Sequence, residues 1–112
     1  MHDMTHDPDA PIALNAAVEQ IKQQFLRDLD ERILDLEALR QMVVRGDRPD
    51  QALAEIVHRA HKIRGVAATF GLHALGEAAA KVDDTYSTTR ATWPTLAPLI
   101  ETLLDQMERA LG

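Results

Sequence analysis

The sequence predicts an all-α fold, an antiparallel up-down-up-down four-helix bundle with a disordered N-terminal tail. Apolar residues recur every three or four positions through four separate segments, the spacing of one buried stripe on a helix. Between these segments stand residues that end or start helices: Gly46 with Pro49, then Gly71, then Thr92 with Pro94. No stretch shows the apolar–polar alternation of a half-buried strand. Short connections between amphipathic helices favour antiparallel neighbours around one core.

The first eleven residues carry two prolines and three aspartates without apolar periodicity, so residues 1–11 are expected to form the disordered tail and residues 12–112 a single domain. From Ile12 a long first helix is expected, its stripe built from Val18, Ile21, Phe25, Leu29, Ile33, Leu36, Leu39 and Val43, with early turns free to bend or project. Gly46 ends it, and Asp47 is the expected cap of a second helix that has Pro49 and Asp50 in its first turn. That helix should run to Phe70, burying Leu53, Ile56, Val57, Ala60, Ile63, Ala67 and Phe70, and Gly71 suits the left-handed position that follows. Leu75, Ala78, Ala79 and Val82 mark a third helix that fades into the polar run Asp83–Arg90. Thr92 is the expected cap of the fourth, which buries Leu96, Leu99, Ile100, Leu103, Leu104, Met107 and Leu111; Pro98 lies early enough only to tighten its start.

Bulk properties narrow the function. With 112 residues, 46% of them hydrophobic, the chain can bury a modest core of its own. A formal net charge of −6 and the lack of a basic block argue against gripping nucleic-acid backbone or an anionic membrane. Absence of cysteine removes disulfides, thiolate metal sites and cysteine nucleophiles. No signal-peptide or membrane-spanning pattern is present, so a cytoplasmic monomer is the expectation.

The chemistry concentrates in Ala60-His61-Lys62-Ile63-Arg64-Gly65 and Thr69-Phe70-Gly71. Gly65 is costly inside a helix, by about 1 kcal/mol relative to alanine, and lies one turn beyond a histidine. At about 100° per residue, His61 falls just outside the buried arc centred on Ala60. Ala54, Gly65 and Ala68 share its margin, so the imidazole stands among the smallest side chains and is open to approach. Arg64 and Lys62 add positive charge near it. The pattern suits a nucleophilic histidine that attacks as the neutral ring and accepts a phosphoryl group, with a guanidinium to hold phosphoryl oxygens. A partly exposed histidine beside solvated cations is the plainer alternative.

The segment resembles the signature of histidine-containing phosphotransfer (HPt) domains, His-x-(Leu/Ile)-(Lys/Arg)-Gly with a second glycine downstream. It is most similar to the phosphotransfer domains of chemotaxis-type histidine kinases, through Ala60-His61, Ile63, Gly65 and Thr69-Phe70-Gly71. The resemblance implies that His61 is the phosphoacceptor at Nε2, and that it exchanges phosphoryl groups with aspartates of response-regulator receiver domains. It further implies that Asp83 stands where such domains often place a glutamate that hydrogen-bonds the other ring nitrogen. Two positions depart from the pattern: Arg64 replaces the more usual lysine, and Asp83 is one methylene shorter than glutamate.

The expected function is therefore a phosphorelay intermediate without independent turnover, between a histidine kinase or hybrid-kinase receiver and a response regulator. No ATP-binding segment is present in these residues, so the kinase is expected to act in trans. His61, Arg64 and Lys62 would carry the chemistry, with Asp83 orienting the ring, while Ala54, His58, Gly65 and Ala68 would meet the partner. No cofactor is expected on the chain itself, and any Mg2+ would sit on the receiver. Glu55 and His58 have metal-pair spacing but no matching second pair, and both project away from the buried arc. The competing class is a non-phosphorylated adaptor or inhibitor that docks on a kinase or receiver domain through the same surface.

Overall fold

The computed structural model describes residues 10–112, with side chains from Leu14 onward. Five helices make up the described residues, and no strand occurs among them: α1 (Ala10–Arg27), α2 (Leu29–Arg45), α3 (Pro49–Thr69), α4 (His73–Thr89) and α5 (Trp93–Leu111). Most of the tail expected to be disordered, residues 1–9, lies outside the described residues, whereas Ala10 and Pro11 already belong to α1. No helix among the described residues is long and apolar enough to cross a membrane.

The long first helix of the sequence reading is two helices. A single turn residue, Asp28, separates them, while Asp28 N–H still donates to Gln24 O at 3.0 Å and Arg32 N–H to Asp28 O at 3.1 Å. The chain thus bends with little loss of hydrogen bonding. The predicted stripe is only half realised: Phe25, Leu29, Ile33 and Leu36 are buried, but Ile21 is 60% exposed and Val18 is exposed as well, as is Leu14 outside that stripe. The reason is tertiary, because α1 makes only sparse contacts, with α2 and α5. Periodicity records which face is apolar; a neighbour is needed to bury it.

Helices α2 to α5 enclose the core, with α2 and α4 each packed against both α3 and α5. Leu29, Leu36, Ile56, Ile63, Val82, Leu96, Ile100, Leu103 and Met107 fill it. At full burial such side chains contribute about 1.5–3 kcal/mol each, before the entropy of ordering them is subtracted. Contact between α3 and α4 is the most extensive, and it is lined by small residues. Ala60, Ala67 and Ala79 are fully buried, and a Cβ added at Gly76 would meet Ala67 Cβ at 3.5 Å.

The helix ends differ in part from expectation. Gly46 adopts φ 74°, and Asp47 N–H reaches back to Met42 O at 2.9 Å, closing α2 as predicted for a left-handed glycine. Asp47 does not cap α3, however. Arg48 holds the N-cap position in a left-handed conformation, and Asp47 pairs instead with its guanidinium. Gly71 is left-handed beyond α3, as expected, with Leu72 N–H on Ala67 O at 2.9 Å. Helix α4 does not fade at Asp83 but continues to Thr89, because Val82 and Asp83 are buried and Tyr86 packs against the core. Thr88 and Thr89 donate their hydroxyls to the carbonyls of Asp84 and Thr85, four residues back, so this polar run satisfies its groups within the helix. At α5, Thr92 holds the N-cap position through its backbone carbonyl, with no side-chain bond.

Candidate functional site

The site lies on the solvent face of α3 where it packs beside α4. The periodicity that buries Ala60 and Ile63 turns Ala54, His58, His61, Gly65 and Ala68 outward, and all five are exposed. The His61 side chain is 68% exposed, so a second macromolecule can reach the imidazole without any movement of the bundle.

Glycine at 65 has no internal explanation. A Cβ built there would meet nothing within 4 Å, its backbone is not left-handed, and α3 tolerates it at the usual cost of an interior glycine. Thr69 Oγ1 donates to Gly65 O at 3.1 Å, which helps hold the turn. No contact among the described residues requires a glycine there.

Across the helix boundary, Asp83 comes up from α4 with its side chain only 12% exposed, and its Oδ2 lies 2.8 Å from His61 Nδ1. The shorter acid does reach the ring, and the small residues between α3 and α4 are what let the two helices come close enough. Arg64, one turn on from His61, donates from Nη1 to the same Asp83 Oδ2 at 3.3 Å and to Asp84 Oδ1 at 2.6 Å. The hydrogen bond from His61 holds the Asp83 carboxyl below its usual range, helped by the positive charge of its neighbours and opposed by burial. The Asp84 carboxylate, with a smaller contribution from Asp83, strengthens the protonated form of Arg64.

Lys62 is not brought to this cluster. It turns toward α2 and lines a groove with Arg32 and Arg59, so the two cations flanking His61 diverge onto opposite sides of α3. Glu55 is engaged by Arg59 at 3.2 Å, and His58 stands exposed on the outer stripe. Among the described residues no group of three His, Asp or Glu side chains could hold a metal ion. Sequence reasoning missed Asp84, taken only as part of a polar run. Two adjacent acids opposite an arginine were the available signal, but their register against Arg64 depends on α4 remaining helical past Val82.

Chemically, a carboxylate on Nδ1 selects the tautomer with its proton on that nitrogen, which leaves the Nε2 lone pair available for attack. The same carboxylate balances the positive charge that the ring acquires once Nε2 is substituted. The Hpt domain family model matches residues 20–111, a span that includes the end of α1, all of α2 to α5 and every residue of this site. No curated protein and no solved structure matches the chain. An exposed histidine with an oriented ring and a family match over most of the sequence lead to one conclusion: the chain belongs to the Hpt domain family, the histidine phosphotransfer proteins of phosphorelay signalling.

Proposed function

We propose that His61 is the phosphoacceptor of a cytoplasmic relay protein, taking phosphoryl groups from and giving them to receiver aspartates, with a histidine kinase or hybrid kinase acting in trans. The observation that carries this reading is the pairing of an imidazole 68% exposed with a buried carboxylate 2.8 Å from its Nδ1. On transfer from a receiver, the bond between phosphorus and the aspartyl oxygen breaks, a bond from phosphorus to Nε2 forms, and the aspartate leaves as a carboxylate. The Nδ1 proton stays on the ring, held by Asp83, and the reverse reaction retraces the same steps.

In this reading Arg64 has two tasks. It holds the same Asp83 oxygen that takes the imidazole, and its long side chain, 42% exposed, can swing from Asp84 to a phosphoryl oxygen. Gly65 and Ala68, with Ala54 and His58 along the same stripe, form the floor on which the receiver rests. Magnesium belongs to the receiver's acidic pocket, and no residue of this chain is assigned to it. We read α2 to α5 as an antiparallel up-down-up-down bundle, on the strength of their short connections, and the protein as a monomer.

Incubation with a phosphorylated receiver domain should place an acid-labile, alkali-stable label on the wild-type chain and none on His61→Gln. Label that persists in His61→Gln would move the acceptor elsewhere. No transfer from any of a broad receiver panel would favour a docking adaptor or inhibitor instead.

A further inference from the structure

Asp84 joins the cluster around His61 from a position that the bundle core does not use. Its side chain is 62% exposed on α4, and among the described residues its carboxylate bonds only Arg64, whose Nη1 donates to Oδ1 at 2.6 Å. The same Nη1 reaches Asp83 Oδ2 at 3.3 Å, so the exposed acid holds the guanidinium more closely than the buried one does. One guanidinium against two carboxylates, with a neutral imidazole, leaves the cluster short of positive charge before any phosphoryl group arrives.

A phosphoryl group on Nε2 brings further negative charge near Arg64, which lies one turn from His61 and is 42% exposed. Both Nη1 bonds are taken by carboxylates, so drawing the guanidinium toward the phosphoryl group loosens one of them, and the two are unequal. Asp83, 12% exposed and shared with His61 Nδ1, would be left buried with one partner fewer. Asp84 stands in water and is resolvated when released. Whatever part of the Asp84–Arg64 pair is given up on phosphorylation is a cost carried by the phosphorylated state alone.

We infer that Asp84 is a positioning residue that competes with the phosphoryl group for Arg64 and so biases the transfer equilibrium toward handing that group on. This role presupposes the relay reading and deepens it. On transfer from a receiver, the bond between phosphorus and the aspartyl oxygen breaks, the bond to Nε2 forms, and an Arg64 hydrogen bond passes from Asp84 Oδ1 to a phosphoryl oxygen. No proton or electron changes hands. In the reverse direction Asp84 recaptures the guanidinium as the phosphoryl group leaves. Asp83 orients the ring in both states, whereas Asp84 acts only through Arg64.

The full chain is mixed with a panel of phosphorylated receiver domains, and the equilibrium ratio of labelled chain to labelled receiver is measured for the receiver that transfers best. Asp84→Asn should raise that ratio about threefold, the size expected from loss of an exposed ion pair, with helicity intact. Asp84→Glu, which keeps the charge, should stay near wild type. Arg64→Gln should lower the ratio, and adding Asp84→Asn to it should move it no further. An unchanged ratio in Asp84→Asn would overturn the inference. So would a lowered one, because Asp84 would then aim the guanidinium rather than restrain it. A threefold rise in the Arg64→Gln background would overturn it too, by showing that Asp84 acts through its own charge. In each of these cases transfer to the wild-type chain leaves the relay reading standing. No label on the wild-type chain from any receiver would sink the relay reading and the role of Asp84 with it.

Discussion

On the α4 side of His61 one arginine faces two carboxylates, and one of those carboxylates also takes the imidazole; on the α2 side Arg32, Arg59 and Lys62 line a groove in which Glu55 and Asp35 both pair with Arg59. The first flank is closed. Its charges satisfy one another, its key acid is mostly buried, and its geometry fixes one ring nitrogen. The second is open, with one lysine unpaired and one buried donor unmet among the described residues. The two flanks therefore differ in how fully their charges are matched within the chain. They lie on opposite sides of α3, so a change on the α2 side leaves the contacts of the imidazole in place.

The largest effect expected from breaking this contrast comes from Asp83→Asn. An amide there keeps the shape but loses the carboxylate that orients the ring, and removal of such supporting groups slows reactions about 10- to 100-fold. Single-turnover transfer at saturating receiver should show that loss with helicity intact; an unchanged rate would mean Asp83 is merely structural. Next comes Gly65→Leu, which should reduce the second-order transfer rate about tenfold by obstructing approach while making α3 steadier, by up to about 1 kcal/mol. Thermal melting and transfer measured on the same protein would separate those opposite changes, and undiminished transfer would dispose of the steric account.

A smaller effect distinguishes the closed flank by pH. The Asp83 carboxyl titrates below its ordinary value of 3.8 in the folded chain, so the native state gains stability from it above that value. That contribution declines as pH falls through the lower folded value. Wild type should therefore lose more stability on acidification below about pH 4 than Asp83→Asn does, and parallel melting curves down to strong acid would contradict the assignment. Smallest of all is Asp35→Ala on the open flank. An exposed ion pair of this kind is worth about 0.2–1 kcal/mol, so a modest fall in stability is expected, measured by urea titration. A loss of several kcal/mol would show that the α2–α3 contact depends on Arg59 far more than its geometry suggests.

Much of this was legible in the residues themselves. The exposed stripe of Ala54, His58, His61, Gly65 and Ala68 follows from helical geometry alone, as do the buried arc of α3 and the stop at Gly71. These depend on neighbours three and four positions apart, and local backbone geometry sets such neighbours once a helix forms. Chain length and charge likewise bounded the function without any coordinates.

Other features required the tertiary structure. Whether an aspartate could span the distance to His61 depends on how closely α3 and α4 approach, a consequence of Ala60, Ala67, Gly76 and Ala79 acting together. That Lys62 and Arg64 part company depends on which helix lies to either side of α3, and that Leu14 and Ile21 stay in water depends on α1 lacking a neighbour along most of its length. Apolar periodicity tells a helix which face to bury, but distance and register between helices are properties of packing, and packing is settled only when every element is in place.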